Sequence, residues 1–226
     1  MNRKIHLNIL PWILAVFSVQ TIAQEQIGVA SAVNKNTSDI TLTQERKLID
    51  AGYKIIQNHT LETDAIGKAQ MLLLDGTTFS VGPNSSVLLD KFIYNPQTAD
   101  GSLEITAKGL LRIVGGKVTK KKPVLIRTNS ATVGIRGGIG VVQTNGTQTT
   151  ATFLYGDEMT VTPNCTDLDT FGDSACSPDS GVTITEPGFS VTVESEDSEP
   201  SEPEPVTAES LEEIHCLLYT SDAADE

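Results

Sequence analysis

The chain has 226 residues, with 29 acids against 16 bases and a formal net charge of −13. That length suits one domain with extensions, and the acidic balance excludes the basic footprint of a nucleic-acid binder. The charge is uneven: residues 194–215 hold nine acids and no Lys or Arg, so the acidity belongs more to a tail than to a domain.

The first residues read as an export signal. "MNRK" is a short positive region, Ile9–Val19 is an apolar run, and Thr21 and Ala23 offer small residues for cleavage before Gln24. A bilayer-spanning helix needs about 20 apolar residues. The run is shorter than that, so residues 1–23 are expected to be a cleaved signal peptide. The expectation is a periplasmic or secreted protein with no stable transmembrane span in the mature chain. Trp12 is the one tryptophan, so the mature protein would have none.

The next segment, "TLTQERKLID", is the one plausible helical turn, with Thr43 able to cap it. After it the chain reads as β-structure. "KAQMLLLDGTTFSVG" has two apolar runs around Asp75-Gly76, a hairpin signal. "SSVLLDKFIYNPQTADGSLEITAKG" repeats the plan with a longer turn broken by Asn95-Pro96 and Asp100-Gly101. "PVLIRT", "ATVGIR", "IGVVQT" and "QTTATFLYG" follow, short and rich in Val, Ile and Thr. The expected fold is all-β: a single, mostly antiparallel β-sandwich or solenoid-like domain of many short strands, ending in a disordered acidic segment.

The stretch "TNSATVGIRGGIGVV" raises the question of a phosphate loop, with Arg136 as its cation. Such a loop leads from a strand into a helix N-terminus. Here Gly138 is followed by the strand-like "IGVVQT", and the glycine spacing does not fit. Glycines in strands mark bends or close approaches. Gly134 is therefore expected to admit a close neighbour, and Gly137-Gly138 to bend the chain between two sheets. Leu110–Gly116 and Thr128–Val142 are expected as neighbouring core strands, with Val133 and Ile135 on one face and Arg136 on the other. Arg136 is expected to serve structurally, with a partner contact as the other reading.

Cys165 and Cys176 share one polar loop, which in an exported chain favours a disulfide. Asp167, Asp169 and Asp173 give that loop a faint calcium-site character, without the downstream Glu of an EF-hand. Residues 163–193 are read as this loop plus terminal strands of the same domain. Residues 194–215, rich in Glu, Ser and Pro, are read as a disordered linker. "CLLYTSDAADE" (216–226) matches the in-frame translation of a transposon-based sequencing adaptor and is read as read-through; a real amphipathic end to "AESLEEIHCLLYT" is the alternative.

Catalytic constellations are nearly absent. Beyond the signal, the histidines are His59, in the polar "QNHTLETD", and His215. No nucleophile–base set assembles without His59. Asp75, Asn84 and Ser85 fit turn chemistry, and Lys120-Lys121-Lys122 fits a solvated loop, with docking to anionic lipid or cell-wall polymer as a lesser reading. No cofactor and no enzymatic activity are expected.

Two segments resemble a known family. "AQMLLLDGTTFSVGPNSSVLLDKFIYNP", with its Asp75-Gly76 turn and its Pro83-Asn84-Ser85 turn, resembles the core of the FecR domain. "LLRIVGGKVTKKKPVLIRTNSATVGIRGG", with Arg136-Gly137, resembles its second half, although Asn129 stands where the family typically has proline. The resemblance covers roughly residues 27–162, and the β-domain is placed at 24–162. It implies an extracytoplasmic bacterial β-domain acting by binding in cell-envelope signalling, with a protein partner in the periplasm or envelope. Asp75, Gly76, Pro83, Asn84, Ser85, Arg136 and Gly137 would be family-motif or partner-contact residues. A surface-associated glycan- or cell-wall-binding module is the alternative.

Overall fold

The structure is a computed structural model and describes residues 25–34, 36–165, 177 and 179–219. The expected signal peptide (1–23), Cys176, Asp167, Asp169 and Asp173 lie outside the described residues.

In chain order the strands are β1 (Gln26–Asn34), β2 (Thr37–Ile40), β3 (Arg46–Leu48), β4 (Lys54–Ile56), β5 (Thr60–Thr63), β6 (Lys68–Leu73), β7 (Thr78–Val81), β8 (Ser86–Tyr94) and β9 (Gly101–Lys108). They continue with β10 (Leu110–Val114), β11 (Val124–Arg127), β12 (Ala131–Arg136), β13 (Ile139–Asn145), β14 (Gln148–Tyr155), β15 (Glu158–Pro163), β16 (Val182–Ile184), β17 (Phe189–Val193) and β18 (Glu204–Pro205). One helix, α1 (Ala208–Tyr219), follows.

The strands form two nine-stranded sheets. The first runs β18-β17-β14-β13-β10-β7-β6-β1-β4 and the second β16-β15-β12-β11-β9-β8-β5-β2-β3. Strand position therefore tracks chain position in both sheets, except at one edge, where β4 lies outside β1 and β3 outside β2. The chain lays one or two strands in one sheet, crosses over, and lays the next in the other. Among the described residues the pairings are antiparallel except β9 with β11, which is parallel. The all-β expectation holds, and the linear strand order supplies its solenoid-like aspect.

Alternation explains which face is buried. In β6, Ala69, Met71 and Leu73 are buried while Lys68, Gln70 and Leu72 are not. In β12, Val133 and Ile135 are buried and Arg136 is half-exposed, as the alternation requires. One core between the sheets takes Met71, Phe79, Leu111 and Phe153 from the first and Leu61, Leu103, Ile126 and Val161 from the second. Burying side chains of this size contributes roughly 1.5–3 kcal/mol each before ordering entropy is subtracted.

The structure departs from the sequence reading in three places. "TLTQERKLID" forms no helix: Gln44 sits at a φ of 62°, which breaks a helical run, and Arg46–Leu48 pairs with β2 as edge strand β3. Only β13, the second half of Thr128–Val142, lies beside Leu110–Val114, because the chain changes sheet at Gly137-Gly138 and leaves β12 in the other sheet. The acidic segment read as a disordered linker is laid along the first sheet. The Ser201 amide donates to the Thr192 carbonyl (2.8 Å), the Val206 amide to Gly188 (2.8 Å), and β18 pairs with β17. There the backbone finds hydrogen-bond partners on an open sheet edge while the acidic side chains stay in solvent.

Candidate functional site

The family-motif residues converge on two knots in the backbone. The first begins at the β6–β7 turn. Gly76 occupies a φ of 87°, which the turn requires and glycine tolerates. Asp75 is 1% exposed, yet its carboxylate is fully engaged. Oδ1 accepts the Thr77 amide (3.0 Å); Oδ2 accepts the Thr77 hydroxyl (2.7 Å) and the distant Val118 amide (3.2 Å). The Asp75 carbonyl takes the Lys117 amide (3.0 Å), and the Thr77 hydroxyl oxygen takes that of Gly116 (3.0 Å). One buried turn thus holds the whole 116–118 loop.

That loop reaches the second motif. The Gly115 amide donates to the Gly138 carbonyl (2.8 Å), and the Gly137 amide donates to the Thr119 carbonyl (2.9 Å). A Cβ on Gly116 would lie 2.3 Å from the Thr77 nitrogen, and one on Gly138 2.1 Å from the Tyr155 carbonyl oxygen. The glycines permit backbone against backbone, not a phosphate cradle. Gly134 admits Thr160 of β15, whose Oγ1 would lie 2.5 Å from an added Cβ.

The second knot is the Pro83-Asn84-Ser85 turn. Asn84 takes a φ of 50°. The Thr63 hydroxyl donates to the Gly82 carbonyl (2.7 Å) and accepts the Ser85 amide (3.0 Å). The Ser85 hydroxyl accepts the Leu110 amide (2.9 Å). This turn ties β5, in the second sheet, to β7 and β10 in the first.

Arg136 stands at the end of β12. Its Nε lies 3.3 Å from Glu158 Oε1 and 3.9 Å from Asp157 Oδ2, close enough for charge attraction but without an aligned hydrogen bond. The side chain is 42% exposed. Lys121 donates to the Thr98 carbonyl and to Asp100, which holds the Asp100 carboxyl below its ordinary range. Asp64, by contrast, caps its own turn: it accepts the Ile66 and Gly67 amides and the Asn36 side chain, all of which favour its charged form. Asp64 and Asp75 serve separate turns.

A third cluster has no signal in the sequence. Asp39 and His59 are buried. Asp39 Oδ2 accepts the Tyr53 hydroxyl (2.8 Å) and lies 2.8 Å from His59 Nδ1. Burial first, then the bond and charge of Asp39, push the Tyr53 hydroxyl up to about 12. These residues stand in separate segments of unremarkable polarity, and only the β2–β5 pairing brings Asp39 beside His59. Separately, a cleft of about 510 Å³ opens at one end of the sandwich between Ile27, Leu74, Phe92 and Tyr94. Among the described residues no group of three or more His, Cys, Asp or Glu is placed to hold a metal, and no helix is long and apolar enough to cross a membrane.

Two stacked, mostly antiparallel sheets joined by buried polar turns define a β-domain whose motif residues knit the scaffold. Residues 59–157 match the family model described as FecR protein. That stretch, 99 of the 226 residues, carries a FecR-domain match. Two crystal structures titled as a "putative anti-sigma factor" from Parabacteroides distasonis ATCC 8503 are similar in fold. One is 15% identical with a TM-score of 0.48, the other 14% identical with a TM-score of 0.50. Each match covers 68% of this chain and 62% of the other, so this chain spans less than two thirds of those proteins' length. No curated protein matches the chain.

Proposed function

We propose that the chain is a non-catalytic, extracytoplasmic FecR-type module that senses or scaffolds by binding a protein partner in cell-envelope signalling. The family match over residues 59–157 carries this reading. The geometry supports it: the motif carboxylate of Asp75 is consumed by backbone and hydroxyl donors and has no role left in proton transfer. The apolar run near the N-terminus supports export, and export in turn supports a Cys165–Cys176 disulfide. The comparisons lend nothing to the glycan- or wall-binding alternative.

Deletion of the gene with transcript profiling tests the reading. The expected result is one coordinately shifted gene set, restored by the full chain but not by a chain lacking residues 2–23. An unchanged transcriptome, or restoration by the unexported chain, would reject it.

A further inference from the structure

We propose that the cleft at the end of the sandwich receives an extended peptide segment of a partner protein. The segment adds as a strand to β8 at Phe92–Tyr94, buries two alternate aliphatic side chains and sets a Lys or Arg against Glu25. The inference deepens the reading of a protein-binding module, and rests on it in taking the occupant to be protein.

The backbone leaves the cleft open. β8 runs from Ser86 to Tyr94 and β9 accompanies it to the end, but β5 pairs with it only from Ser86 to Leu88. Among the described residues no strand lies beside Phe92–Tyr94 on the side away from β9. Antiparallel pairing turns alternate residues toward a given neighbour. The Asn95 amide donates to the Asp100 carbonyl (2.8 Å), so Asn95 and Ile93 face β9, while Phe92 and Tyr94 direct their amides and carbonyls the other way. The Phe92 amide is met there by the side-chain oxygen of Gln57 (3.2 Å). A carboxamide thus stands where a neighbouring strand would continue, and Tyr94 is the open rung beyond it.

The walls are apolar. Ile27 and Phe92 are 2% and 8% exposed, while Leu74 and Ile93, one from each sheet, stand 58% and 55% exposed beside the same cleft. Exposed aliphatic side chains gathered at one opening mark an interaction site, and about 510 Å³ lies within the range of binding sites. A strand laid beside β8 alternates its side chains, sending residues i and i+2 inward against Ile27 and Phe92 and residue i+1 outward beside Ile93.

That geometry selects the occupant. An acyl chain would fill the walls but leave the Tyr94 amide and carbonyl unpaired, whereas a peptide backbone pairs both. A symmetric pair of copies would bring two Glu25 carboxylates into one interface. Among the described residues Glu25 is the one charged group in the lining, so the segment that fits carries a cation beside its apolar pair.

The test titrates a fluorescein-labelled heptapeptide, valine alternating with threonine and a lysine at one end, into the full chain and follows anisotropy. The expected result is saturable binding, weakened at least tenfold by Leu74→Asp, a change at an exposed position. N-methylation of one of the peptide's two alternate sets of amides should weaken it as much, and of the other set should not. Glu25→Lys should reverse the preference between this peptide and one ending in glutamate, and amide exchange at Tyr94 should slow at least tenfold at saturation. No saturable binding overturns the proposal. So does binding indifferent to Leu74→Asp, to Glu25→Lys or to N-methylation, or protection that falls on β3 or β4 instead of Tyr94. These readouts are of direct binding, so their failure is separate from that of the transcript experiment.

Discussion

At Asp75 the carboxylate serves two backbone amides and a hydroxyl while almost fully buried. Asp75→Ala leaves those donors without an acceptor and should cost about 1–3 kcal/mol, read as a lower urea midpoint at an unchanged slope. Arg136 sits differently. The sequence alone suggests that its loss is costly, but a half-exposed guanidinium beside Asp157 and Glu158 belongs with surface ion pairs. Arg136→Ala should cost less than about 1 kcal/mol; a larger drop in the urea midpoint would show that the buried Nε outweighs the exposed end of the guanidinium. Tyr53 gives a third check. A hydroxyl raised to about 12 when folded, from 10.0, contributes stability that is complete below pH 10 and is lost as the pH rises through 12. Ultraviolet titration should find one of the four tyrosines ionising near pH 12, with Asp39→Asn lowering that value only in part, since burial is the larger cause.

At the scale of elements, the hairpins were legible because turn chemistry announces them. Asp75-Gly76 marks the β6–β7 turn, and Asn95-Pro96 with Asp100-Gly101 marks the β8–β9 turn. The sheet change at Gly137-Gly138 was legible for the same reason. Strand β3 was not, because its three residues are all exposed and carry no alternation. Nor was the bond from Asp75 to Val118, since nothing in either segment encodes a contact 43 residues away. The clamp between loop 115–119 and the two motifs is thus a property of the assembled sheets. It can be tested by contrast. At Gly116 an added Cβ meets backbone; at Gly134 it meets one side-chain oxygen. Gly134→Ala should cost about 1–3 kcal/mol and be largely rescued by Thr160→Ala. Gly116→Ala should have no comparable rescue from any neighbouring truncation, and amide exchange at Val118 should report the loss.

For the whole molecule, the proposed Cys165–Cys176 bond can be counted. Of three cysteines, Cys216 is free and exposed. With residues 216–226 removed, denatured, unreduced protein from an oxidising compartment should titrate no thiol, rising to two after reduction; two before reduction would show that the pair does not form. The C-terminal segment shows what composition could not convey. Residues 194–206 have a linker's composition, yet β17 leaves an edge whose amides and carbonyls accept them.

The linear strand order has a mechanical consequence. The first described strands lie near one end of both sheets and the last near the other, so nine strands span about 38 Å at a spacing of about 4.8 Å. Tension between the two ends would act across the ladder. Its hydrogen bonds would then open one strand at a time, like a zip, instead of resisting together in shear. Such a domain yields gradually and at low force. In a single-molecule pulling experiment it should lengthen in several small steps, and tethered between two attachments it would act as an extensible spring more than a rigid strut.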